Sequence, residues 1–308
     1  KARTQVIQYC STEHKQSIKS TCGLLGVHRQ VYYRDIKSTK EKLKLSFKVI
    51  NLVKSKRLLM PKIGTRKLYY LLEHDLKELN VGRDKLFKIL KANQLLIKPK
   101  KKYHITTNSH HRFRKHKNQI KELSFIRPEQ VWVSDITYIG NRKNSSYLAL
   151  ITDAYSKKIV GYNVSDSLNV RGSLAALEMA LKKRKYKNEP IIHHSDRGLQ
   201  YCSNEYQSLL DKNDILPSMT EQYDPYENAI AERINGILKQ EFDIDKYDTN
   251  LEIKTKLVQN AIEIYNNVRP HLSNYMLTPN QMHQQNKVKR KQYKSKKGSD
   301  IKSLPLDY

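Results

Sequence analysis

The order of hydrophobic and polar residues divides the chain into a helical first part and a mixed strand and helix part that begins near Pro128. In the first part, apolar residues recur at three- and four-residue steps, which is typical of amphipathic helices. Residues 15–34 predict two short helices around Gly23 to Gly26, with three apolar anchors, Leu24, Leu25 and Val27. We expect the second helix to open at His28, Arg29 and Gln30.

A second helical group is predicted between residues 41 and 97. It contains a Lys-rich amphipathic helix over 41–59 and a helix pair over 65–79 and 83–93. The apolar residues of this pair form core stripes, namely Leu68, Leu71, Leu72, Leu86, Ile89 and Leu90. The residues between them are largely Lys and Arg, so this pair is a better helix-turn-helix-like candidate than the first.

The mixed part begins with three strands, predicted over 130–139, 146–153 and 158–164 as an antiparallel meander. Helices and strands then alternate: a helix over 168–185 capped by Ser167, a strand over 190–194, a helix over 204–211, a strand over 215–219, and helices over 225–241 and 251–268. This order predicts a ribonuclease H-like α/β domain.

The formal net charge of +28 is unevenly distributed. Residues 1–127 carry 32 Lys and Arg against 8 Asp and Glu, residues 128–286 carry 18 against 20, and residues 287–308 carry 8 against 2. A near-neutral core flanked by basic segments favours a polyphosphate partner, because each neutralised phosphate releases counterions. The charge alone leaves DNA, RNA and a merely basic surface open.

Five regions follow from these patterns: a helix-turn-helix over 1–40, a helical DNA-binding domain over 41–97, a basic linker over 98–127, a catalytic core over 128–286 and a basic tail over 287–308. The linker holds four histidines, but it has neither a nearby cysteine nor the spacing of a zinc site. We therefore interpret it as a connector that follows a DNA backbone.

The remaining composition indicates a cytoplasmic, nucleoid-associated protein. Three cysteines are widely scattered, which suits a reducing compartment, and no stretch approaches eighteen uninterrupted apolar residues. The first residues also lack the apolar run of a secretory signal.

Three acidic residues stand out against their surroundings. Asp135 lies in the middle of the apolar strand VWVSDITYI, where an unpaired charge is costly to bury. Asp196 lies just past the strand 190–194, in HHSDRG, and Glu232 lies on the helix that ends at Glu241. Phosphodiester cleavage by two Mg²⁺ ions needs about three carboxylates brought from separate elements, because magnesium prefers oxygen ligands.

This triad, with thirty-five residues between its second Asp and its Glu, resembles the signature of retroviral integrases and of bacterial insertion-sequence transposases. The blocks that carry the resemblance are VWVSDITYI, HHSDRGLQYCS, ENAIAERINGILKQE and YNNVRPH followed by TP, and it covers about residues 40–285. In that group the catalytic part is a second reading frame, often joined to the first by frameshifting, and the missing initiator Met fits this arrangement.

The resemblance implies a metal-dependent polynucleotidyl transferase. Asp135, Asp196 and Glu232 would be both the catalytic residues and the ligands of two Mg²⁺ ions, with Mn²⁺ able to substitute. Water would cut at an element end, and the freed 3′-hydroxyl would attack target DNA without a covalent protein intermediate. The partners would be double-stranded DNA, as terminal repeats and as target, and at least one further copy of the chain, with no membrane.

The individual residues expected to contact DNA fall in the first four regions, and several have a structural alternative. Lys239 follows Glu232 by two helical turns on the same face, and Asn228 could orient Glu232. Arg269 and His271 either engage DNA or form a structural end to a helix. The other expected DNA contacts are basic residues of the first two fifths of the chain: Arg29, Arg66, Lys67, Lys100, Lys101, Arg112 and Arg114.

Alternative interpretations remain for the site and for the function. Asp135 could serve only as a hydrogen-bond acceptor, and Asp196 could be only a turn residue before Gly198. Glu227 and Glu241 compete with Glu232, and Asp153 is interpreted as structural. A retroviral-type integrase would carry an N-terminal His/Cys zinc module, which the pattern lacks. A nuclease of the same fold and a non-catalytic DNA-binding protein are the other candidates.

Overall fold

The computed structural model describes residues 2–98, 116–140, 144–221 and 228–284. Its contacts divide the chain into two compact units, Lys1–Pro99 and Lys100–Tyr308. In the described ranges, no helix has the length and the apolar character that a membrane crossing requires.

The first unit is entirely helical in its described part. Its helices are α1 (Ala2–Glu13), α2 (Ile18–Leu24), α3 (Arg29–Leu59), α4 (Thr65–Leu71), α5 (Glu73–Glu78) and α6 (Arg83–Ala92). The prediction of an all-α region before the α/β domain is therefore confirmed.

Helices α1, α2 and the start of α3 share a small core of Ile7, Cys22 and Tyr32. The second helix opens where the sequence predicts, since Nδ1 of His28 accepts a hydrogen bond from the backbone N–H of Gln30 (3.3 Å) and caps α3. The expected anchor Leu24 is wrong, because this residue is 81% exposed. The other two expected anchors, Leu25 and Val27, do pack against this core.

Helix α3 is one uninterrupted helix of 31 residues. The sequence predicted a separate helix over 41–59, and this is wrong because no Gly or Pro interrupts residues 29–59. The boundary expected between residues 40 and 41 thus falls inside α3.

The later turns of α3 bury Val49 and Val53 and contact α6. The helix predicted over 65–79 is split at Leu72, whose φ of −107° and ψ of 16° leave helical geometry. The helix predicted over 83–93 is confirmed as α6. Of the predicted stripe, Leu68, Leu72, Leu86 and Leu90 are buried, and Leu71 and Ile89 are half-buried.

The second unit is built on a five-stranded sheet in the order β3-β2-β1-β4-β5. The strands are β1 (Val131–Ile139), β2 (Ser146–Asp153), β3 (Ile159–Ser165), β4 (Ile191–Ser195) and β5 (Ile215–Met219). The first three pair antiparallel, whereas β4 pairs parallel with both β1 and β5. The predicted meander and the ribonuclease H-like α/β fold are confirmed.

Helices cover this sheet. They are α7 (Val170–Lys182), α8 (Leu199–Cys202), α9 (Asn204–Asp211), α10 (Ala229–Glu241), α11 (Leu251–Asn267) and α12 (Pro279–His283). Helix α7 lies against β3 so closely that a Cβ on Gly161 would come within 2.1 Å of the Ala176 carbonyl oxygen. Ser167 does not cap α7 as predicted; Asn169 does, and its Oδ1 accepts from the N–H of Arg171.

A buried polar cluster joins α12 to the ends of β1 and β2. Asp153 is fully buried, and its Oδ1 accepts from the N–H of Glu129 (2.7 Å) while its Oδ2 accepts from the N–H of Ser156 (2.7 Å). His283 lies 3.4 Å from Glu129 and 3.5 Å from Asp153 through its two ring nitrogens. The interpretation of Asp153 as a structural residue agrees with these contacts.

Candidate active site

Asp135 lies in the middle of the central strand β1, opposite Leu150 of β2. Its carboxylate is held from two sides. The backbone N–H of Ile136 donates to Oδ1 (2.9 Å), and Nδ2 of Asn235 donates to Oδ2 (2.7 Å). The strand thus fixes the position of the carboxylate, and helix α10 fixes its orientation.

Asp196 follows β4, which pairs with β1 in parallel, so that Ser195 is in register with Ser134. This register places Asp196 beside Asp135 at one end of the paired strands. The N–H of Gly198 donates to Oδ1 of Asp196 (3.0 Å), and this contact holds the turn that leaves the strand.

Glu232 lies in the first turn of α10, on the exposed side. The start of this helix is fastened to β1, because Nδ2 of the buried Asn228 donates to the carbonyl oxygen of Ser134 (3.1 Å). The backbone oxygen of Asn228 also accepts from the N–H of Glu232 (3.2 Å). Asn228 therefore positions the helix that carries Glu232. The predicted beginning of this helix at Pro225 lies outside the described residues.

The three carboxylates interact electrostatically. The pKa of Asp135 is raised to about 7; burial is the largest cause, the charges of Asp196 and Glu232 also raise it, and the hydrogen bonds from Asn235 and Ile136 oppose the shift. Partial burial raises the pKa of Glu232 as well. A bound cation would relieve this repulsion between the neighbouring carboxylates.

The donor set fits a divalent metal ion of the magnesium type. All three side chains offer hard oxygen ligands, and Oδ1 of Asn235 is buried beside them with no hydrogen-bond partner in the described structure. Within the same ranges, no three His, Cys, Asp or Glu side chains are already close enough to hold one ion. Closure of the site around a metal would therefore require side-chain movement, for which the exposed Glu232 has room.

Two residues of α10 complete this surface. Asn228, Glu232, Asn235 and Lys239 follow each other at three- and four-residue steps and so share one helix face. Sequence reasoning missed Asn235, although its place between Glu232 and Lys239 on that face could have revealed it. Burial lowers the pKa of Lys239, and the charges of Asp135 and Asp245 oppose this shift, so its ammonium group lies within electrostatic reach of Asp135.

Histidines on β4 form the scaffold behind the carboxylates. Nε2 of the buried His193 lies 2.7 Å from Oγ of Ser134 and 2.9 Å from the hydroxyl of Tyr206. Burial lowers the pKa of His193 to about 3, so this side chain stays neutral. His194 is buried too, with Nδ1 2.8 Å from Oγ of Ser218. His193 thus connects β4 to β1 and α9, and His194 connects β4 to β5.

Arg269 and His271 are placed in the interior, which corrects the expectation that they contact DNA. Arg269 is 1% exposed and forms a two-bonded ion pair with Glu241, from Nε to Oε2 and from Nη2 to Oε1 (both 2.7 Å). It also lies over the ring of Tyr265. His271 is 8% exposed, and its Nδ1 lies 2.9 Å from Oγ of Ser273. The run YNNVRPH at the end of α11 is therefore structural, since its Arg269 connects it to Glu241 at the end of α10.

The other expected DNA contacts lie in different places. Arg29 and Arg66 are exposed on the helical unit, and Lys67 is half-buried there. Four expected contacts and the basic tail 287–308 lie outside the described residues: Lys100, Lys101, Arg112 and Arg114.

Comparison with known proteins places the second unit in a known domain family. Two family models, both described as integrase core domain, match residues 126–225 and 213–279. A solved structure of the HTLV-2 integrase catalytic core domain in complex with magnesium is 19% identical, covers 51% of this chain and 98% of its own, and has a TM-score of 0.41. The sheet and the matched models together define the second unit as an integrase core of ribonuclease H-like fold.

Relatives among bacterial insertion sequences are more similar. The uncharacterized 31 kDa protein of insertion element IS600 from Shigella sonnei is 33% identical over 261 residues, which span 81% of this chain and 92% of that protein. The transposase InsF for insertion sequence IS3fB of Escherichia coli K12 is 36% identical over 160 residues, 52% of this chain and 55% of its own length. The chain belongs to the family of insertion-sequence transposases that carry an integrase core.

Proposed function

We propose that Asp135, Asp196 and Glu232 are the catalytic carboxylates of this transposase and that they hold two Mg²⁺ ions, for which Mn²⁺ can substitute. The observation that carries the proposal is their convergence: a strand centre, a strand end and a helix contribute one carboxylate each, and the charges of two of them raise the pKa of the third. When bound, such ions supply Lewis acidity at the attacking and leaving oxygens of a phosphodiester.

The protein's own residues prepare this site in separate ways. Asn235 and the N–H of Ile136 each occupy one oxygen of Asp135 and leave further lone pairs free for a ligand. Asn228 fixes the start of α10, and the Arg269–Glu241 ion pair fixes its end. We assign Lys239 to a DNA phosphate, because its ammonium group interacts electrostatically with Asp135 and lies on the same helix face as Glu232.

The reaction is cleavage at an element end, followed by attack of the freed 3′-hydroxyl on target DNA. Because two ends must be brought together, at least two copies of the chain act on one DNA complex. The strong positive charge of residues 1–127 favours a polyphosphate partner for this region, and in a transposase that partner is duplex DNA.

A cleavage and joining experiment tests the proposal. Purified protein is incubated with duplexes of the element ends and Mg²⁺, once uncut and once with a pre-cut 3′ end, and the products are mapped. Asp196→Asn should lose cutting and joining by about a thousandfold or more and retain DNA binding, since the carboxylate holds metal and does not contact the duplex. Asp211→Asn, an exposed change on α9, is the matched control and should act like the wild type.

Two outcomes would contradict the proposal. Wild-type activity of Asp196→Asn would remove this residue from the site. Cutting without any joining of the pre-cut end would identify a nuclease of the same fold instead of a transferase.

A further inference from the structure

Tyr201 of α8 is a buried tyrosine whose hydroxyl group is unpaired within the described part of the chain. The residue is 2% exposed, and its ring packs against the rings of His193 (centroids 6.1 Å apart) and Tyr206 (5.4 Å). Its hydroxyl oxygen is buried and has no hydrogen-bond partner among the described residues. Burial of an unpaired hydroxyl costs free energy, because the group gives up its hydrogen bonds to water. A phenylalanine would fill the same space without this cost.

The neighbouring Tyr206 provides the contrast. It is 1% exposed and belongs to the same hydrophobic core. Its hydroxyl lies 2.9 Å from Nε2 of His193, so this phenol group connects α9 to β4. The two buried tyrosines therefore differ in what their hydroxyl groups do: that of Tyr206 stabilises the fold, and that of Tyr201 does not.

Tyr201 borders the carboxylate of Asp196. A Cβ on Gly198 would lie 3.0 Å from Oδ1 of Asp196 and 3.6 Å from Cδ2 of Tyr201, so the carboxylate and the ring flank the same glycine. Burial raises the pKa of Tyr201, and electrostatic interactions with Tyr206, Asp196 and Asp135 also raise it. The hydroxyl thus lies within electrostatic reach of both aspartates of the candidate site.

We propose that Tyr201 is a positioning residue of the metal site, whose hydroxyl donates a hydrogen bond to the carboxylate of Asp196 when that carboxylate binds Mg²⁺. The N–H of Gly198 already donates to Oδ1 of Asp196, and the phenol supplies a second donor. A carboxylate held by two donors keeps its remaining lone pairs directed at a cation, and loss of one such donor weakens metal binding by about 10- to 100-fold. The inference rests on the proposed function, since it takes Asp196 to be a metal ligand.

Binding of Mg²⁺ to the full-length protein tests this role without a catalytic readout. Trp132 is the chain's single tryptophan and lies in the same core as Tyr201, so its fluorescence reports the melting of the second unit. Melting temperatures are measured in chelator and at increasing Mg²⁺, with the ionic strength kept constant by NaCl. Tyr201→Phe should melt about 1–4 °C above the wild type in chelator, because it removes an unpaired buried hydroxyl. It should also need about tenfold more Mg²⁺ for the same stabilisation.

Tyr206→Phe is the matched control, because it removes a hydroxyl from the same core at a similar depth. It should melt below the wild type in chelator, since His193 loses a partner, and it should keep the wild-type dependence on Mg²⁺. In an Asp196→Asn background, Tyr201→Phe should have no further effect on the Mg²⁺ dependence, because the carboxylate that its hydroxyl holds is gone.

Three outcomes would overturn the role of Tyr201. They are a wild-type Mg²⁺ dependence in Tyr201→Phe, equal effects of Tyr201→Phe and Tyr206→Phe, and a fall in the metal-free melting temperature of Tyr201→Phe. If Asp196→Asn abolishes the stabilisation by Mg²⁺ while Tyr201→Phe does not change it, only the role of Tyr201 is wrong. A wild-type protein that Mg²⁺ does not stabilise, and that neither cuts nor joins element ends, contradicts the proposed function and this inference together.

Discussion

Asn235 and Asp135 are one hundred residues apart in the chain and are joined by a hydrogen bond of 2.7 Å from Nδ2 to Oδ2. The bond connects the central strand of the sheet to the helix that carries Glu232. It opposes the rise in the pKa of Asp135 and so favours the ionised form of this carboxylate. Asn235 is thus a positioning residue for Asp135 in the proposed metal site.

Asn235→Ala should raise the Mg²⁺ concentration needed for half-maximal cleavage and reduce the rate at saturating Mg²⁺ by about tenfold or more, because Asp135 loses a donor that holds it ionised and oriented. A Mg²⁺ titration of cleavage measures both effects. Asn235→Asp should do worse than Asn235→Ala, since it adds a fourth negative charge. Gln259→Ala on the exposed side of α11 is the control. An unchanged Mg²⁺ requirement in Asn235→Ala would leave the amide with a packing role only.

Asp135→Asn should raise the melting temperature of the metal-free protein above pH 7 by roughly 2–5 °C. The folded-state pKa of Asp135 is raised to about 7, so its ionised form destabilises the fold at higher pH, and stability returns as the pH falls through 7 toward 4. Scanning calorimetry in chelator at pH 5 and pH 8.5 measures the difference, which should shrink at the lower pH. Mg²⁺ should stabilise the wild type and not this variant. A variant that melts below wild type at pH 8.5 would contradict the burial of an unfavourable charge.

Arg269→Lys should lower the free energy of unfolding by about 3 kcal/mol, because a lysine cannot keep both bonds to Glu241 and leaves a buried carboxylate partly unpaired. Urea denaturation measures this, with the exposed Arg171→Lys as the control. At temperatures where the variant is folded, its affinity for DNA should equal that of the wild type. A loss of DNA affinity without a loss of stability would restore the expectation that Arg269 contacts the substrate.

His283→Gln should destabilise the protein most between about pH 4.5 and 6.5. Burial by itself lowers the pKa of His283, but the bonds to Asp153 and Glu129 outweigh burial and raise this pKa. Protonated His283 therefore stabilises the folded protein below pH 6.5, and this stabilisation is lost as the pH rises through the pKa of the folded state. The pKa of Glu129 is lowered because the bonds from His283 and from the N–H groups of Lys185 and Tyr186 outweigh burial. Ionised Glu129 therefore stabilises the folded protein above pH 4.5, and this stabilisation is lost at lower pH. Urea unfolding at pH 5.5 and pH 9 measures the predicted contrast. Equal destabilisation at both would show that His283 acts by packing alone.

The sequence predicted the catalytic unit more completely than the helical unit. Strands such as 146–153 and 215–219 have the predicted ends, because their apolar runs are bounded by turn residues. In the helical unit the periodicity did not predict α1, and it predicted a separate helix inside α3, since a polar Lys-rich segment resembles a new helix when its packing partners are unknown.

In the candidate site, too, some residues could be predicted from the sequence and others could not. The sequence was enough to propose Asp135, because a carboxylate is costly in an apolar strand, and the resemblance of the spacing to that of integrases and transposases added Asp196 and Glu232. They were not enough for Asn235, whose role arises from a contact between distant segments, or for Arg269, whose positive charge gave no indication that Glu241 would neutralise it in the interior. Charge predicts a partner class only for residues that reach the surface.

The polar cluster around Asp153 sets a limit on how small a working catalytic fragment can be. The last described strand ends at Met219 and the third carboxylate lies at Glu232, so a shortened version cut after Glu241 would keep all three proposed ligands. It would also leave Glu129 and Asp153 in an apolar interior without the imidazole that lies between them. A fragment designed for crystallisation or for inhibitor screening should therefore extend through His283. This residue of α12 stabilises the start of β1 through Glu129 and the end of β2 through Asp153.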